Sequence, residues 1–147
     1  MDTMDFLNDA DLVPTGTTRQ GRAEFRLTRA LIFGKITVPA GFITDKFSLP
    51  GRLIPFIWQP HKAKYATPAV VHDWLYETMW FGPKEEDREN ADNQLMQAMI
   101  ATGVTPAKRW IVWGAVRAFG ARGYGLVDAG NVDLVRAVRP DLSAVLA

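Results

Sequence analysis

The chain has 147 residues, 48% of them hydrophobic, a size and balance that suit one domain with a buried core and exclude a disordered polypeptide. Seventeen basic residues against sixteen acidic leave a net charge of +1, so bulk charge makes no case for nucleic-acid binding. The absence of cysteine excludes a disulfide framework and thiolate metal sites.

In chain order, residues 1 to 21 are polar and rich in Thr and Gly, and read as an arm or loop with at most a short strand. The acidic start Met1-Asp2-Thr3-Met4-Asp5 is unlike a signal peptide, and no apolar run is long enough to cross a bilayer, so synthesis in a cytoplasm is expected. From Glu24 to Thr37, Phe25, Leu27, Leu31, Phe33, Ile36 and Val38 approximate a period of two broken at Gly34, the pattern of a hairpin. Val38-Pro39-Ala40-Gly41-Phe42 then turns the chain into a loop containing Asp45-Lys46-Phe47-Ser48. A long connection around Phe56-Ile57-Trp58 carries it to residue 66.

Three helices are expected over residues 67 to 120. Thr67 reads as the cap of the first and Pro68 as its opening residue, with the helix ending near Trp80 before Phe81-Gly82-Pro83. The second starts at Pro83 or soon after, with Glu85, Glu86 and Asp87 at the positive end of its dipole and Ala91, Leu95, Ala98 and Met99 as a buried stripe. Thr105-Pro106 opens the third, which is apolar nearly all round from Trp110 to Phe119 and so expected to be the most buried. Residues 121 to 147 form an extension with a short helix or strand from Val132. The fold class is α+β: one domain, a small N-terminal antiparallel sheet packed on a three-helix bundle.

Chemistry concentrates at His72-Asp73 inside the first helix. Tyr76 shares the face of His72, whereas Asp73 points about one hundred degrees away. A histidine buried in a helix needs a partner. If the first two helices are antiparallel, Asp92 meets the imidazole, holding one ring nitrogen and leaving the other as a base. Arg88, one turn before Asp92, can orient or neutralise it, as a salt-bridge partner or a substrate clamp. Asp73 can offer oxygen to a hard cation. Asp45 and Ser48 can close over the same place or simply cap a turn. The five tryptophans read as core or, for an exposed subset, as a partner- or lipid-contacting rim. His61 reads as a surface residue and the C-terminal basic residues as a solvated face.

His72-Asp73-Trp74-Leu75-Tyr76 followed by Ala91-Asp92 resembles the active-site helices of secreted phospholipase A(2) enzymes, best in their short bacterial and parvovirus-capsid forms. The resemblance implies His72 as the base, Asp73 as a calcium ligand, and Tyr76 and Asp92 as supports. It departs from that family in having no Gly-x-Gly loop before His72 and no disulfides. A longer stretch, Val38-Pro39-Ala40-Gly41-Phe42, Thr44-Asp45, Ser48-Leu49-Pro50, the histidine segment, Arg88, Ala91-Asp92 and Gly103-Val104, is similar to a family of phage and prophage proteins catalogued as a domain of unknown function. That similarity implies a phage origin and groups Asp45 and Ser48 with the histidine. Two functions follow as expectations. One is a hydrolase acting on esters of the host envelope; the other is a non-catalytic tail or particle component, made in the host cytoplasm and incorporated in the virion.

Overall fold

A computed structural model describes residues 5–46, 57–59 and 61–142. The fold is α+β: an N-terminal antiparallel sheet packed against helices. Strands β1 (Leu12–Arg19), β2 (Arg22–Leu27) and β5 (Ile43–Thr44) form a three-stranded antiparallel sheet in the order β1-β2-β5. Strands β3 (Leu31–Phe33) and β4 (Ile36–Val38) form a separate hairpin. Part of the segment expected to be an arm is therefore an eight-residue strand. Its Thr-rich run is β-branched, and Gly16, at φ +81°, takes up the register irregularity between Pro14 and Thr18 that bends it. Instead of one hairpin broken at Gly34 there are two, turning at Gln20-Gly21 and at Gly34-Lys35.

Helix α1 (Ala63–Thr78) starts earlier than its Thr67-Pro68 pair suggests. Pro68 lies inside the helix and cannot donate to the carbonyl of Lys64. The hydroxyl of Thr102 donates to that carbonyl instead, at 2.7 Å, so a neighbouring helix end replaces the missing bond. Thr67, rather than capping, accepts a bond from the backbone N–H of Ala10 at 3.1 Å. Met79 ends the helix in the left-handed region, with the N–H of Trp80 donating to the carbonyl of Leu75.

Helix α2 (Glu85–Ala101) places three acids in its first turn and buries Ala91, Leu95, Ala98 and Met99 together. Helix α3 (Pro106–Phe119) corrects the expectation of deepest burial. Only Val112 and Val116 of it are buried, while Trp110 and Phe119 are each 59% exposed. The buried element is α1, whose residues Val70, Val71 and Trp74 face the strands and whose Tyr65 and Ala69 face α2 and α3. Trp74 meets the edge of Phe42 with ring centroids 5.3 Å apart. A short helix α4 (Val132–Val138) closes over the sheet side of α1 through Val135. No helix among the described residues is long and apolar enough to cross a membrane.

Candidate functional site

Helix α1 carries two polar constellations on two of its faces. His72 and Tyr76, one turn apart, look toward α2. The imidazole Nε2 lies 2.7 Å from Asp92 Oδ1, and the Tyr76 hydroxyl donates to the same oxygen at 2.7 Å. The two rings lie against each other with centroids 4.2 Å apart. Arg117 of α3 donates to Asp92 Oδ2 at 2.7 Å, and Arg88 Nη1 reaches that oxygen at 3.4 Å. Asp92 is wholly buried and His72 is 1% exposed.

Burial alone would push the carboxyl of Asp92 up. The bonds from His72, Tyr76 and Arg117 outweigh it and hold Asp92 below the ordinary aspartate value, so it is a carboxylate here. A carboxylate accepts, and so directs the imidazole proton to Nε2; in the neutral ring the basic nitrogen is then Nδ1. Burial, and the hydrogen bond to Asp92, push the phenol of Tyr76 far above the usual tyrosine range.

Arg88 acts as a structural tie. Its guanidinium donates to Tyr76 Oη at 3.0 Å, to the carbonyls of Val116 and Arg117 at 3.1 and 3.2 Å, and to both oxygens of Glu85. The crowding is tight enough to dictate a glycine. A Cβ on Gly120, at the end of α3, would stand 2.8 Å from Tyr76 Oη and 3.2 Å from Arg88 Nη1.

The second constellation lies on the adjacent face of α1, where Asp73 and Glu77 point toward the sheet. Asp73 accepts from the Thr44 hydroxyl at 2.6 Å and has Arg19 Nη1 at 4.0 Å. Glu77 accepts from Asn131 Nδ2 at 3.0 and 3.2 Å and from the backbone N–H of Asp128 at 2.9 Å. Arg19 joins the group, donating to Asp128 at 2.6 and 2.9 Å and standing 3.4 Å from Glu24 and 3.8 Å from Glu77. Asp45 accepts from Arg22 Nε at 3.0 Å.

So many acids about few cations perturb one another. Burial, then the charge of Asp45, raise Asp73 to about 7. Burial, then the charge of Asp73, raise Glu77 to about 8. The hydrogen bond with Asp128, then burial, raise Glu24. Asp128, though burial works against it, is drawn below its usual value by Glu24, the N–H of Gly130 and Arg19. An open cleft of about 300 Å³ lies beside this group, its lining including Arg19, Glu24 and Asp128.

Of the residues expected to share one site, His72, Tyr76, Asp92 and Arg88 meet. Asp73 and Asp45 belong to the second group instead, and Ser48 lies outside the described residues. Asp73 is thus engaged rather than spare. Its surroundings, a hydroxyl donor with Arg19 and Arg22 nearby, are those of a carboxyl held by donors and cations, and do not fit a calcium ion. Among the described residues no group of three or more His, Asp or Glu side chains is arranged to hold a metal ion.

Sequence reasoning missed Arg117, Arg19, Glu24, Glu77, Asp128 and Asn131. One signal was available: Glu77 follows Asp73 by one turn inside an otherwise buried helix, a pairing no isolated helix would tolerate cheaply.

These features define a small α+β protein organised round a buried imidazole–carboxylate network. The chain belongs to the family described as protein of unknown function (DUF1353), which matches residues 22–116. It is similar to "Uncharacterized protein y4iH" of Sinorhizobium fredii (strain NBRC 101917 / NGR234), at 37% identity over 79 residues, 54% of this chain and 31% of that protein. The chain thus spans less than a third of that relative's length. No solved structure matches it.

Proposed function

We propose that the protein is a phage-encoded hydrolase whose base is His72, acting on carboxylic esters of the host envelope. The observation that carries this reading is the 2.7 Å contact between His72 Nε2 and an ionised Asp92 that also accepts from Tyr76. A buried carboxylate on one imidazole nitrogen fixes the tautomer and strengthens the other as a general base toward water. Arg88 and Arg117 position Asp92 and do not touch the reacting atoms. The reading takes the chain as one domain, because α1 contributes to both apolar cores. No step is assigned to calcium.

A second reading, a non-catalytic virion component, is favoured by a different observation. Asp92 already has four donors about its two oxygens, and His72, Arg88 and Asp92 are all at most 3% exposed. Such a network ties three helices together without any need of catalysis.

Fatty-acid release from phosphatidylethanolamine–phosphatidylglycerol vesicles separates the two readings. Hydrolysis by the wild type is expected, with a loss of about 10²–10⁴-fold per folded molecule in His72→Asn, the folded fraction being read by circular dichroism because the substitution also removes a buried partner of Asp92. No release by the wild type from these vesicles or from short-chain esters would leave the structural reading standing.

A further inference from the structure

Three charged residues of α2 fall on one stripe of the helix: Glu85, Arg88 three positions on, and Asp92 four further. Glu85 is the first residue of α2, where the helix dipole favours a carboxylate. Its side chain is 63% exposed, whereas Asp92 at the other end of the stripe is wholly buried. The stripe therefore runs from solvent to the partner of the imidazole, and Arg117 of α3 lies across it.

One oxygen of Glu85 serves both arginines. Oε1 accepts from Arg88 Nη2 and from Arg117 Nη2, each at 2.7 Å, and Oε2 accepts from Arg88 Nε at 2.9 Å. The inward ends of the same guanidinium groups meet the buried network: Nη1 of Arg117 donates to Asp92, and Nη1 of Arg88 to Tyr76 and Asp92. Each arginine is thus held at two points, one at the surface and one inside. The bonds from Arg88 and Arg117 draw Glu85 down to about 2, so it is ionised throughout the neutral range.

Two guanidinium charges stand over the single carboxylate of Asp92. With no second acid in reach, both would draw on that carboxylate and weaken its hold on the imidazole. Glu85 supplies the second negative charge and takes the outer ends of both groups. Glu89, one turn further on and 54% exposed, stands 3.6 Å from Arg117, beyond hydrogen-bond reach.

We propose that Glu85 is a positioning residue for His72: by holding Arg88 and Arg117 together at the surface, it keeps the charge of Asp92 directed at the imidazole Nε2. The link is geometric and needs no catalysis; its effect on rate rests on the hydrolase reading above.

A long-range proton–nitrogen correlation spectrum of Glu85→Gln tests the link, with the folded fraction read by circular dichroism. The substitution keeps an acceptor at an exposed position and removes the charge. The His72 Nε2 proton is expected to move upfield, in the direction of Asp92→Asn and by less. Glu89→Gln is expected to leave it in place. The difference between wild type and Glu85→Gln should persist at high salt, where the field of an exposed charge without a hydrogen bond is screened. In vesicle hydrolysis Glu85→Gln is expected to lower kcat at unchanged KM. A displaced proton with no hydrolysis by the wild type sinks the hydrolase reading and keeps the link. Hydrolysis by the wild type, with a proton that Glu85→Gln leaves in place, overturns the link and keeps the hydrolase. An equal displacement in Glu89→Gln, or one lost at high salt, also overturns the proposal and makes the effect that of surface charge in general. So does a kcat that Glu85→Gln leaves unchanged in an active protein.

Discussion

Replacing Asp92 by alanine is expected to lower the unfolding free energy by about 3–5 kcal/mol, the usual cost of removing one partner from a buried charged network. The loss comes from what is left behind. Arg117 donates to Asp92 Oδ2 at 2.7 Å and Arg88 stands 3.4 Å from it, so two guanidinium groups lose a counter-charge within a site that is almost wholly buried on the α2 side. The Tyr76 hydroxyl and His72 Nε2 lose their acceptor in the same step. Asp92→Asn keeps the shape and one acceptor oxygen, and a smaller loss is expected there. Urea unfolding of both variants measures the difference. A change below about 1 kcal/mol for Asp92→Ala would mean that the four donors find water or other partners.

The second large effect concerns Arg19 and is tied to pH. Arg19 stands within 4.0 Å of carboxyls of Glu24, Asp73, Glu77 and Asp128, which come from three segments of the chain: β2, α1 and the turn before α4. Arg19→Ala is expected to cost about 3 kcal/mol at pH 8, since those acids then repel one another with only Arg22, at the Asp45 end of the group, left to offset them. The sign of the pH dependence follows from Asp73 and Glu77. Their folded values are raised, to about 7 and about 8, above ordinary carboxyl values. The folded state therefore holds more protons than the unfolded one through that interval, and stability falls as pH rises from about 4 to about 8. Asp92 behaves oppositely: its lowered value adds stability above the ordinary aspartate range, lost only in stronger acid. Melting curves between pH 5 and 8.5 should thus decline, more steeply for Arg19→Ala and less steeply for Glu77→Gln. A melting temperature that rises over this interval in the wild type would contradict the assignment.

Much of the histidine network was legible in the sequence because its determinants are local or nearly so. Tyr76 follows His72 by four positions, a helical turn, and a short Gly-Pro connection brings Asp92 back alongside. Arg117 was not legible. It lies on a helix that is apolar nearly all round, and a basic residue there reads as solvated. That same apolar character misled about α3 itself: the pattern records hydrophobic residues on every side, but the helix packs at the edge of the bundle and buries only Val112 and Val116. Pro68 misled for a related reason. A proline favours a first turn, unless another residue supplies the lost donor, and Thr102, on a different helix, does so.

The acidic group was hidden by distance. Arg19 and Asp128 are 109 positions apart, and Asn131, which bonds to both Glu77 and the backbone of Ile43, lies just before the segment from Val132 that reads as a short helix or strand. Strand β1 brings Arg19 to this place, and reading its Thr-rich sequence as an arm left out the cation that stands among four of the acids. Local periodicity thus identifies the helices and one face of α1, whereas the other face depends on which distant elements close over it.

The state of the His72 ring is the most direct measure of the network. A long-range proton–nitrogen correlation spectrum should show the proton on Nε2, far downfield and slow to exchange, moving upfield in Asp92→Asn. A neutral ring protonated on Nδ1, with Nε2 bare and indifferent to substitution at position 92, would contradict the pairing on which the proposed chemistry stands.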